Sequence, residues 1–113
     1  MNQINEIIEP FKIGQRDFSP IEVINAMRKT IKCMSWGPHA WCIIDKTKGF
    51  RFAVNGHHHK GHVYIALAWN DTFTVYFTTI KGKIIDIIDN VYIDMLIDTI
   101  DRKVEYIPLY GNK

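Results

Sequence analysis

The segment Val63-Tyr64-Ile65-Ala66-Leu67-Ala68-Trp69 leads through Asn70-Asp71-Thr72 into Phe73-Thr74-Val75-Tyr76-Phe77. Large apolar residues fill every second position on both sides of a polar turn. That period of two is the signature of half-buried strands, so the segment reads as an antiparallel hairpin. A two-residue turn at Asn70-Asp71 would set Leu67 opposite Thr74 and Ile65 opposite Tyr76. A three-residue loop, Asn70-Asp71-Thr72, sets Leu67 opposite Val75 and Ile65 opposite Phe77. A slip of one residue moves every side chain to the other face, so the apolar pattern selects the three-residue loop.

Working outward, the same period gives strands over 39–46 and 49–55 before the hairpin, whose own strands span 62–69 and 72–79. Lys46-Thr47-Lys48-Gly49 forms the first turn. If Asp45 lies opposite Phe50, Ile43 meets Phe52 and Trp41 meets Val54 on one face. The expected core face is Trp41, Ile43, Phe50, Phe52, Val54, Val63, Ile65, Leu67, Trp69, Phe73, Val75 and Phe77. A fifth strand after Lys81-Gly82 would turn Ile85 and Ile87 inward. The Ile84–Ile88 run could instead lead straight into the last helix.

Helical signals flank these strands. Ser19 is a good N-cap, Pro20 suits the first helical position and Glu22 completes a capping box. Ile24, Met27, Ile31 and Met34 follow at helical spacing, and Ser35-Trp36-Gly37-Pro38 ends the run. A second helix, about 91 to 105, carries Ile93, Leu96, Ile97, Ile100 and Val104 as its stripe, with Asp89 or Asn90 as cap and Pro108 beyond its end. The expected fold is α+β: a two-layer sandwich ordered helix, antiparallel meander of four or five strands, helix. One domain spans 1–113, with its core over 19–107. In the first 18 residues Ile4, Ile7, Ile8 and Phe11 suggest a short amphipathic turn ended by Pro10.

The chain has 113 residues, 47% of them hydrophobic, enough apolar area to offset the entropy of ordering one domain. Its net charge of +2 is too small to mark a nucleic-acid binder. Two cysteines, Cys33 and Cys42, form neither a CxxC pair nor a disulfide framework. No signal peptide is visible and no apolar stretch approaches the ~18 residues of a membrane span, so a cytoplasmic protein with no membrane partner is expected. Walker, GxGxxG and GxSxG motifs are absent, and neither cysteine sits where a thiolate is favoured, which argues against an enzyme.

Two surfaces stand out. The first is Asn55-Gly56-His57-His58-His59-Lys60-Gly61-His62. The strand register above brings His39 to the same end of the sheet. Imidazole ligates zinc, nickel and copper, so His39, His57, His59 and His62 are the candidate metal ligands. Against this, the cluster holds no carboxylate, and adjacent residues of an extended chain point to opposite sides. No cofactor is otherwise expected; a divalent metal such as zinc is the one candidate. The same stretch, with Arg51, could form a cationic rim for phosphate or an acidic partner.

The second surface is the other face of the sheet, where Arg51, Tyr64 and Tyr76 stand among Ala53, Ala66, Thr74 and Thr78. It lacks the charges that normally cover a solvated sheet. Tyr and Arg favour interfaces, whereas aromatics beside a cation can stack nucleobases. The N-terminal segment could also simply cover this face.

The expected function is a non-enzymatic binding or regulatory module. Its binding residues would be Arg51, His57, His58, His59, Lys60, His62, Tyr64 and Tyr76, and its partner a protein or a second copy of itself. A nucleic-acid-binding domain and a metal-dependent hydrolase on the histidines are the competing readings. Asp94, Asp98, Asp101 and Glu105 form an acidic stripe expected to be a solvated helix face, with Asp98 able to pair with Arg102.

Overall fold

The computed structural model describes residues 18–44, 49–56 and 58–104. Helices α1 (Pro20–Arg28) and α2 (Ile31–Ser35) precede strands β1 (His39–Ile44), β2 (Gly49–Asn55), β3 (Lys60–Leu67), β4 (Phe73–Thr78) and β5 (Ile84–Val91). A 3-10 turn (Ile93–Met95) then leads into α3 (Leu96–Val104). The strands form one antiparallel meander in sequence order, so the α+β arrangement expected from the sequence is the one adopted. All three helices pack on one sheet face, where Phe50, Phe52, Phe77, Trp36 and Ile100 are fully buried. The apolar residues of the N-terminal segment, the turn at 46–48, His57, Glu105 and Pro108 lie outside the described residues.

The first helix starts as its sequence dictates. Ser19 Oγ accepts from the Glu22 backbone N–H at 3.4 Å and Pro20 opens the first turn. It does not run on to Met34. Thr30 adopts an extended backbone, donates its hydroxyl to the Met27 carbonyl (2.8 Å) and accepts from the Cys33 N–H (3.2 Å). One side chain thus closes α1 and caps α2. The break resets the helical phase: Ile31 is 80% exposed and Met34 60%, while Cys33 and Trp36 point inward instead.

In the β3–β4 hairpin the faces are as expected and the offset is not. Leu67 pairs with Phe73, Ile65 with Val75 and Val63 with Phe77. The loop has three residues, one position earlier than the sequence suggested: Ala68 N–H donates to the Thr72 carbonyl (2.8 Å) and Asp71 N–H to the Ala68 carbonyl (3.1 Å). Asp71 takes the left-handed conformation (φ 68°) that such loops need at their third position. Trp69 therefore leaves the core face and stands 72% exposed. The β4–β5 loop repeats this construction from Thr79 to Lys83, with Gly82 at φ 94° in the place of Asp71.

The outer strands carry bulges that shift their phase. In β1, Ile43 pairs with Phe50 rather than Phe52, and Ala40 (φ 57°) lies in an irregularity between His39 and Cys42. Trp41 still reaches the core and stacks on Phe52 at 4.4 Å, whereas Ile43 is exposed. In β5 irregularities in the pairing with β4, one beside Asn90 (φ 57°), turn Ile88 and Val91 toward the core and leave Ile85 and Ile87 exposed. Because β5 continues through Val91, Asp89 and Asn90 are strand residues, and neither caps a helix.

In α3, Leu96, Ile100 and Val104 are buried and Ile97 partly so, while Ile93 is exposed. The acidic stripe is not a uniformly solvated face. Asp101 is buried and accepts a 2.9 Å hydrogen bond from Trp36 Nε1. Asp98 pairs with Lys32 of α2 at 2.7 Å rather than with Arg102, and Lys103 pairs with Asp86 of β5 at 2.6 Å. Among the described residues no helix is long and apolar enough to cross a membrane.

Candidate functional site

The sheet face away from the helices is organised in cross-strand rows. One row runs His39, Ala53, His62, Thr78, Ile84; the next runs Cys42, Arg51, Tyr64, Tyr76, Ile87. A third holds Ile44, Gly49, Ala66 and Thr74. The small side chains of Ala53 and Ala66 flank Tyr64, which is 3% exposed at the centre. Gly49 is fixed by its neighbours, since a Cβ there would lie 2.9 Å from the Ile65 carbonyl oxygen and 3.3 Å from Ile44. The face is therefore closed at its middle. Its accessible groups include His39, Cys42 and Ile87, with parts of Arg51, His62, Thr74, Tyr76 and Ile84.

Arg51 Nη1 donates to the Tyr64 hydroxyl at 3.4 Å, the leading cause that raises the guanidinium's pKa. The His62 ring meets Tyr64 edge-on at 6.1 Å. Burial, then the charges of Arg51, His39 and His59, hold the His62 pKa below its ordinary value. Burial raises that of the Tyr76 hydroxyl. Two polar atoms here are buried without a hydrogen-bond partner: Arg51 Nε and His62 Nδ1. Neither of the two rows contains an Asp or Glu.

No family model, no curated protein and no solved structure matches this chain. Function must be read from these side chains alone.

The histidine-rich stretch does not form a single rim. His57 lies outside the described residues. His58 is exposed, and its backbone N–H ties the loop to the Val104 carbonyl at the end of α3 (2.8 Å). Lys60 is exposed and opens β3 opposite Asn55. His59 turns to the helix side: it is buried, meets Phe77 edge-on at 5.7 Å, and its Nε2 lies 3.3 Å from the His62 carbonyl oxygen. It packs over Gly61, where a Cβ would sit 3.3 Å from His59 Nε2 and overlap the Thr78 carbonyl oxygen. Burial lowers the His59 pKa, leaving the ring neutral near pH 7.

The structure thus brings His39 and His62 into one row across Ala53 and puts His59 on the opposite side of the sheet. His59 and His62, expected as ligands of one ion, are thereby separated, because residues three apart on an extended chain point to opposite faces. Among the described residues no three His, Cys, Asp or Glu side chains gather to hold a metal ion. Burial pushes the Cys33 thiol up to about 11, the state of an inert core cysteine.

The sequence offers Asp89 or Asn90 as a helix cap. They instead line, with Trp69 and Asn70, a depression of about 400 Å³ at the far corner of the sheet. The bulge that places them left no mark in the hydrophobic pattern.

Proposed function

We propose that this chain is a small non-enzymatic binding module whose working surface is the Arg51–His62–Tyr76 part of the second sheet face. Its partner would be a protein presenting a carboxylate-rich segment. The observation that carries this reading is the pair of unpartnered atoms, Arg51 Nε and His62 Nδ1, on rows without a single carboxylate. A buried donor left unsatisfied costs about 1–3 kcal/mol, so such groups call for an explanation. An anion placed between the two side chains would satisfy both, with some turning of Arg51. The exposed His39 adds a third group able to carry positive charge at the rim.

A second reading, single-stranded nucleic acid, is supported by Tyr76 beside Arg51 on the same row, since aromatics next to a cation stack bases. Two titrations separate them: a Glu/Asp-rich peptide and a single-stranded oligonucleotide, each at two salt concentrations. The acidic-peptide reading expects binding weakened about tenfold by Arg51→Ala, the effect of losing ~1.4 kcal/mol. It also expects binding to tighten as pH falls below 6.5, the ordinary His62 value, because the anion favours the imidazolium that the unbound site disfavours. His62→Gln should abolish that pH response. Oligonucleotide binding with a steep salt slope would favour the second reading. Binding of neither probe would reject both.

A further inference from the structure

The corner of the sheet at Trp69 has the chemistry of a different kind of site. The three-residue β3–β4 loop lifts Trp69 out of the core, so the ring stands 72% exposed at the rim of the depression. Below it lie Asn70, Thr72, Thr74, Asp89 and Asn90. These side chains are already positioned by one another. Asn70 Oδ1 accepts from the Thr72 hydroxyl (2.6 Å) and backbone N–H (3.2 Å), and Asn70 Nδ2 donates to Asn90 Oδ1 (3.1 Å). Asn90 Nδ2 in turn donates to Asp89 Oδ1 (3.4 Å). Each amide nitrogen has a second hydrogen beyond the one so used, and the Asp89 carboxylate has a second oxygen.

We infer that this corner binds a neutral carbohydrate ring. A sugar has an apolar C–H face that can lie on an indole, and a girdle of hydroxyls that both donate and accept. The lining supplies both partners, amide donors and a carboxylate acceptor, beside an accessible aromatic surface. Among the described residues no Lys or Arg lines the depression, and Asp89 gives it negative charge, which disfavours phosphorylated and acidic ligands. The volume of about 400 Å³ lies at the small end of the ligand-pocket range and suits one or two rings. This site touches the Arg51 face through Thr74, but it draws on different rows and carries the opposite local charge.

The test follows the indole N–H signals of Trp36, Trp41 and Trp69 by NMR. The probes are neutral monosaccharides (glucose, galactose, mannose, N-acetylglucosamine) and their disaccharides, with adenosine as a base-bearing control. The expected result is a saturable shift of the Trp69 signal by at least one sugar, with Kd on the order of 1 mM for so open a site. Asp89→Asn should weaken that binding at least several-fold, and Trp69→Ala should abolish it, read then from backbone amides of residues 70–74. Trp69 is outside the core, so Trp69→Ala should keep the fold, read as a native-like amide spectrum and a cooperative melt. No saturable shift with any sugar overturns the inference, as does binding that survives Trp69→Ala. Saturation by adenosine alone would overturn it in favour of a nucleobase site.

Discussion

The two faces of the sheet solve the same packing problem in opposite ways. On the helix side, rings of Trp36, Trp41, Phe50 and Phe52 stack on one another, and the buried polar atoms there, such as Trp36 Nε1 and the Asp101 carboxylate, meet each other. On the far side, small residues alternate with Arg, His and Tyr, and two buried polar nitrogens have no partner. Neighbouring residues of one strand experience this contrast directly, because successive side chains point to opposite faces. The lesson is that strand parity divides a fully satisfied aromatic core from a face that keeps unpartnered polar nitrogens.

The sharpest way to break that comparison is to truncate adjacent residues of β2. Phe52→Ala should cost about 3–5 kcal/mol in denaturant unfolding, because it empties a fully buried aromatic site. Arg51→Ala, one residue away, should cost about 1 kcal/mol or less, since its hydrogen bond to Tyr64 is long and partly exposed. Equal losses would show that the far face is also core. A smaller effect tests what orients the helix layer. Thr30→Ala should cost about 1 kcal/mol, the usual value of an N-cap, and weaken the break between α1 and α2. The smallest concerns the residues that the break displaces. Ile31→Lys should change stability by no more than about 0.5 kcal/mol, since the side chain is exposed. A large loss there would mean that the helix continues and Ile31 is buried.

These same places mark what the sequence could and could not show. Alternation put Val63, Ile65, Val75 and Phe77 on the core face correctly, because face depends only on whether positions are odd or even. It could not fix the pairing, because Leu67 opposite Phe73 and Leu67 opposite Val75 have identical parity. What decides is local: Asp71 tolerates the left-handed conformation and closes the loop one residue early. Arg51, Tyr64 and Tyr76 share a face, as parity implied, but the expected register set Tyr64 opposite Thr78, and the earlier loop is what aligns Tyr64 with Tyr76. Ile31 and Met34 were misplaced because a helical stripe says nothing about a threonine whose hydroxyl competes for backbone groups. Asp89, Asn90 and Trp69 came together through a bulge and a loop, neither of which has a hydrophobic period to read.

The bulges at Ala40 and Asn90 have one more consequence. Among the described residues the five-stranded sheet ends in two strands with no further neighbour in the ladder, and a long straight edge of this kind can template the addition of further chains into fibrils. Each edge strand here carries one residue in the left-handed region, an arrangement that costs on the order of 1 kcal/mol for a non-glycine residue. Each bends its strand and interrupts the regular spacing of donors and acceptors along it. A small loss in folding energy thus becomes a barrier to polymerisation, placed at both margins of the sheet.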